Sequence, residues 1–176
     1  DLLYFAVSTI SGDIMWSKTY DQGFGYEEGD GLAIDVEQIF LTGWTDGGAT
    51  NMDMLLINTD SRGNVMWSRS WDAGDSLYEH QDGHIAVDDT IIYCAGLYKG
   101  NVNALPSLSG LDGQAILVKF DKNSGNYVDH TIWGYQEAWL EVDNALGMTI
   151  HDNHIFVVGW VTPAVNNHQL FLRKYD

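Results

Sequence analysis

Apolar side chains in this chain recur at alternate positions over short runs, and the runs are interrupted by Gly, Asn and Asp. That is the pattern of half-buried β-strands joined by tight turns. Three segments align without a gap: Leu32 to Trp44, Ile85 to Leu97 and Met148 to Trp160. Each reads as strand, two-residue turn, strand. Asp35, Asp88 and His151 share one column at the end of the first strand, and Gly43, Gly96 and Gly159 share another near the end of the second. A glycine kept inside a strand pattern signals close backbone approach or a bend.

A second block repeats as cleanly. Ser11 to Tyr20, Arg62 to Trp71 and Ser124 to Trp133 each begin with a polar residue and a Gly-Asp or Gly-Asn pair and continue as a strand. The Gly-Asn and Gly-Asp pairs supply the positive φ of a hairpin turn, so a strand must also precede each block. Those strands are Leu3 to Val7, Met54 to Asn58 and Ala115 to Phe120, with Leu170 to Tyr175 in the same position further on. Naming the four strands of a unit A to D, the chain reads CD, ABCD, ABCD, ABC, thirteen strands in all. The expected divisions are a half unit over 1–29, full units over 30–81 and 82–143, and a partial unit over 144–176. The long segment from Lys99 to Gly113 falls between B and C of the third.

Four-stranded units at this period point to an all-β chain of β-propeller blades, partial or open over these residues. The residues resemble the bacterial and archaeal seven-bladed β-propeller repeat. Thr42-Gly43-Trp44, Asp53 through Asp60, Gly63-Asn64 and Trp67-Ser68 carry the resemblance, and Asp112 through Asp121 with Gly125-Asn126 follow the same pattern. The chain departs from it at the A to B turns, where Val36-Glu37, Asp89-Thr90 and Asp152-Asn153 replace Gly-Asn, and at Asp129, which replaces a Trp. These motifs specify blades rather than chemistry, and the family has no shared catalytic residues to carry over. Propellers need about four to eight blades to close, so the chain is expected either to be a piece of a longer protein, the favoured reading, or to complete a ring or stack with copies of itself through open blade edges.

Composition changes the picture only in part. A hydrophobic content of 45% permits a real core, and the formal charge of −17 disfavours nucleic acid as a partner. No stretch is long and apolar enough to be a membrane-spanning helix, so membrane insertion is not expected. Cys94, the lone cysteine, lies in an apolar run and reads as core filling.

The resemblance places ligand-facing loops between D and the next A. Those segments hold Tyr26, Glu27 and Glu28, then Tyr78, Glu79 and His80, then Glu137, Trp139 and Glu141. Aromatic rings beside carboxylates suit a glycan or a basic peptide, because the ring offers apolar area and the carboxylate accepts hydrogen bonds. His151 and His154 bracket a turn and would face each other across it, but they lack an assigned third metal ligand. The aspartates show no calcium-loop spacing and read as turn residues, so no cofactor is expected and calcium stands as the minor alternative. Trp16 and Trp67, and the column of Tyr20, Trp71 and Trp133, recur once per unit and therefore read as packing between units.

The resulting expectation is a noncatalytic extracellular or cell-envelope module for assembly, adhesion or recognition of a protein or glycan, with no catalytic residues and no metal. The alternative is a glycan-processing propeller enzyme using paired carboxylates, Glu28 with Glu79 or Glu79 with Glu141.

Overall fold

The computed structural model describes residues 1–23, 25–46, 52–72, 79–98, 114–133, 144–164 and 167–175. Among them are thirteen strands in four antiparallel sheets. The first sheet pairs β1 (Leu2–Val7) with β2 (Ile14–Tyr20). The second runs in the order β3 (Glu27–Asp35), β4 (Gln38–Thr45), β5 (Asp53–Asp60) and β6 (Val65–Trp71). The third repeats that order with β7 (Glu79–Val87), β8 (Ile91–Tyr98), β9 (Gln114–Asp121) and β10 (Tyr127–Trp133). The last contains β11 (Asn144–His151), β12 (His154–Ala164) and β13 (Asn167–Tyr175). Each strand pairs with its neighbour in sequence, so every connection within a sheet is a hairpin.

The sheets stack face to face in chain order, with one hydrophobic cluster between each neighbouring pair. Leu2 and Tyr4 meet Leu41, Leu55 and Ile57 between the first two sheets. Phe40, Met54 and Leu56 meet Ile92, Cys94, Ile116, Val118 and Phe120 between the second and third. Ala95, Ala115 and Leu117 meet Ile155 and Val157 between the third and fourth. Because the second and third sheets are covered on both faces, their middle strands are apolar at successive positions instead of alternating. In β5 the chain from Met54 to Ile57 is buried throughout, Leu55 and Ile57 facing backwards and Met54 and Leu56 facing forwards. Cys94 lies wholly buried in the middle cluster, which gives its position a packing role.

The repeated aromatic columns join one sheet to the next. Trp16 covers Gly63 so closely that a Cβ there would lie 2.7 Å from the ring, and Trp67 covers Gly125 at 2.5 Å. Both glycines turn with positive φ, +75° and +69°, so the turn and the ring's seat need the same residue. The Tyr20 hydroxyl donates to Ser68 Oγ across the first interface at 2.8 Å. Trp71 stacks on Tyr127 across the second, with centroids 5.8 Å apart, and Trp133 meets Phe171 edge-on across the third.

The turns are held by short polar side chains accepting backbone N–H groups. Asp60 Oδ1 accepts from Arg62 and Asn64, Asp121 Oδ1 from Ser124, and Ser8 Oγ from Ile10 and Ser11. The bonds from Asn64 hold the Asp60 carboxyl below its ordinary range, as those from Ser124 do for Asp121. At the turn between β7 and β8, Asp88 Oδ1 accepts from the amides of Thr90 and Ile91, both at 2.7 Å, while Oδ2 accepts from the Tyr93 hydroxyl at 2.8 Å. Burial works to raise Asp88, but these hydrogen bonds outweigh it and hold the carboxyl below its usual value. Burial and the bond to Asp88 push the Tyr93 hydroxyl up to about 12.

This pair sets a sign for the pH dependence of stability. From its ordinary 10.0 to about 12, Tyr93 is ionised in the unfolded chain and still protonated in the fold. The folded state then binds more protons, so stability falls as pH rises through that window. Urea melts of the wild type should lose stability between those values more steeply than melts of Tyr93→Phe. Equal slopes would remove Tyr93 from the alkaline transition. Asp88 acts at the other end: its contribution is present above the ordinary carboxylate value and is lost as pH falls through the lowered folded one.

Candidate functional site

β3 begins at Glu27, so Glu27 and Glu28 are strand residues and not part of a loop as expected. The extension past Leu32 is made by the run Gly29, Asp30 and Gly31, where the register with β4 shifts and pairing then resumes. Alternation along the strand sends the two glutamates to opposite sides. Glu27 turns inward and is 2% exposed. Its Oε1 accepts from the Gln22 amide at 3.2 Å, and its Oε2 lies 3.4 Å from the Asp1 α-ammonium. Glu28 is solvent-exposed.

Glu28 pairs across the strands with Trp44. Tyr26, just before the strand, lays its ring against Trp44 at a centroid distance of 5.2 Å and an angle of 31°. Its backbone is fixed by Asp46, whose amide donates to the Tyr26 carbonyl and whose Oδ1 accepts from the Tyr26 amide. Two rings and a carboxylate thus converge at one end of the second sheet, on backbone held by the pairing of β3 with β4 and by the bonds between Tyr26 and Asp46. Trp44 was legible in the sequence as part of Thr42-Gly43-Trp44, but only as a structural motif. Its place in the cluster follows from the register, which sets it opposite Glu28.

Tyr78, Glu137, Trp139 and Glu141 lie outside the described residues. Glu79 and His80 are placed by their backbone in β7, opposite Tyr98 and Leu97. With Gly43 and Gly96 in one column, Thr45 corresponds to Tyr98, so the register equates Glu79 with Glu27 and His80 with Glu28. An enzyme built on Glu28 and Glu79 would therefore draw on two different positions of the repeat.

The carboxylates of Asp1, Asp21 and Glu27 lie within 4.8 Å of one another, an arrangement of oxygens that could hold a hard cation. Asp53, which follows Asp1 in the repeat, has its carboxyl raised by burial and by the charge of Asp72. The histidine pair sits as its turn predicts: His151 pairs with His154 across Asp152 and Asn153, which turn with φ of 48° and 58°. His151 Nε2 lies 3.4 Å from Asp152 Oδ2, and among the described residues the three-carboxylate group is the cluster with enough donors for a metal.

Fold and site together define an all-β chain of stacked antiparallel sheets presenting an aromatic and carboxylate cluster at a sheet end. No model of a known protein family matches it. Among curated proteins the chain is similar to the serine protease SepA autotransporter of Shigella flexneri, at 27% identity over 149 residues. The match covers 76% of this chain and 10% of that protein, so the chain spans about a tenth of the length of the curated relative.

Proposed function

We propose that the chain is a noncatalytic module of β-propeller type in an extracellular or cell-envelope protein, and that it binds carbohydrate at the cluster of Tyr26, Trp44 and Glu28. The propeller reading is supported by antiparallel sheets whose strands follow chain order and which stack through apolar faces. The location is supported by similarity to an autotransporter.

The observation that carries the binding reading is the tilted Tyr26–Trp44 pair with Glu28 opposite Trp44. Aromatic faces take the C–H surface of a sugar ring, and a neighbouring carboxylate accepts its hydroxyl hydrogens. A glycan panel followed by calorimetry on the best ligand tests this. Tyr26→Ala and Glu28→Gln should each weaken binding by about tenfold, roughly 1.4 kcal/mol, without moving the melting temperature, since both side chains are exposed. A wild-type chain that binds no glycan, or variants that bind as tightly as wild type, would defeat the reading. Binding to basic peptides in place of sugars would reassign the same cluster to protein recognition.

A further inference from the structure

Three carboxylates meet where the first sheet adjoins the second. Asp1 precedes β1, Asp21 follows β2 and Glu27 opens β3. One oxygen of each lies within 4.8 Å of the other two, a spacing that suits a single ion bound at about 2.3 to 2.6 Å from every oxygen. Glu27 is the inward member, and a buried carboxylate is costly unless its charge is matched. Its Oε1 accepts from the Gln22 amide, but its Oε2, equally shut off from solvent, points to Asp1 and accepts no hydrogen bond. The Asp1 α-ammonium, 3.4 Å from that oxygen, sets one positive charge against three carboxylates.

The same acids return one unit further on. Leu2 pairs with Tyr20 as Met54 pairs with Trp71, which matches Asp1 to Asp53 and Asp21 to Asp72, and the register has already matched Glu27 to Glu79. Burial and the charge of Asp72 raise the Asp53 carboxyl, so these two acids lie within reach of one another's charge. The Asp53 nitrogen is a peptide amide and brings no charge of its own. In the unit after that the acids are gone. Gln114 pairs with Tyr98 as Asp53 pairs with Thr45, and Gly134 follows Trp133 as Asp72 follows Trp71. The third and fourth sheets still stack, so the acids are not a requirement of stacking.

We infer that Asp1, Asp21 and Glu27 form a calcium site that clamps the end of the first sheet to the start of the second. The donors are carboxylate oxygens alone, which select a hard cation over zinc. Asp1 and Asp21 are exposed, so water reaches the open side and completes the coordination shell. Calcium accepts such an irregular, partly hydrated set of oxygens, whereas magnesium demands near-octahedral geometry. The buried Oε2 of Glu27 then gains the charge partner that its surroundings call for. The site goes beyond carbohydrate binding, since Tyr26, Trp44 and Glu28 supply none of its ligands.

Equilibrium dialysis of the chelator-treated chain against radioactive calcium tests the inference, and a dissociation constant of about 0.1 to 1 mM is expected. Asp21→Asn keeps an oxygen for the Gly23 amide while removing the charge, so the variant should fold and bind one calcium ion fewer than the wild type. Glu27→Gln should lose the same ion. Calcium at ten times its dissociation constant should raise the melting temperature of the wild type by about 3 to 6 °C, and sodium at equal ionic strength should not. A wild-type chain that takes up no calcium would overturn the inference, as would an Asp21→Asn protein, folded by circular dichroism, that binds as many ions as tightly. So would a stabilisation that sodium reproduces, which would be screening of the −17 charge. Magnesium bound as tightly as calcium would overturn the assignment to calcium.

Discussion

Replacing Gly43 with alanine is expected to destabilise the chain by about 3 kcal/mol, lowering the melting temperature by roughly 6 to 12 °C. Gly43 lies opposite Gly29 where the register of β3 shifts, and a Cβ on it would enter the van der Waals shell of the Glu28 carbonyl oxygen. The obstacle is backbone, which cannot rotate aside as a side chain would, so relief requires parting β3 from β4. Gly159 stands in the same column, and a Cβ there would strike the Asn144 carbonyl and the Phe171 ring, so Gly159→Ala should behave alike. Gly12 provides the contrast. It turns with φ of +76°, but a Cβ on it would meet no other atom within 4 Å, so Gly12→Ala should cost only the left-handed strain, about 1 kcal/mol. Thermal melts of the three variants check the order, and a Gly43→Ala protein melting with wild type would show that the two strands do not approach this closely.

Phe40→Ala is expected to cost about 3 to 5 kcal/mol. Phe40 is wholly buried in the cluster between the second and third sheets, where Met54, Leu56, Ile92 and Phe120 close around it and leave little means of collapse once the ring is gone. Phe156 occupies the same column of the repeat, but β12 belongs to the last sheet and Phe156 is only half-buried on its outward face. In dilute solution Phe156→Ala should cost about 1 kcal/mol. Chemical denaturation of both variants measures the difference, and equal losses would mean that the two residues have equivalent surroundings.

The strands, their grouping and the turns between them were legible in the amino-acid sequence because they rest on local chemistry. Period-two alternation, Gly-Asn and Gly-Asp pairs and repeated columns act over a few residues. They place the hairpin glycines Gly63 and Gly125, the once-per-unit tryptophans and the pairing of His151 with His154, all of which the structure shows. The reading of Gly43 and Gly159 as points of close backbone approach rests on the same kind of signal.

The candidate site was less legible. Tyr26 and Glu28 were visible as an aromatic beside an acid, yet Glu27 was indistinguishable from Glu28 until the start of β3 assigned them to opposite sides. The shift at Gly29 and Gly31 carries the strand further than a Gly-Asp-Gly run suggests, and from it follow both the inward turn of Glu27 and the pairing of Glu28 with Trp44.

By itself the sequence determined a repeating hairpin unit, its period and its turn residues, since each depends on neighbours along the chain. Only the tertiary structure decided which copies of a column are buried. Leu3 and Leu55, or Leu172 and Leu56, have equivalent positions in the repeat, and what separates them is whether another sheet lies against that face. Burial of apolar surface depends on what covers it, and that is a property of the stack rather than of any one unit.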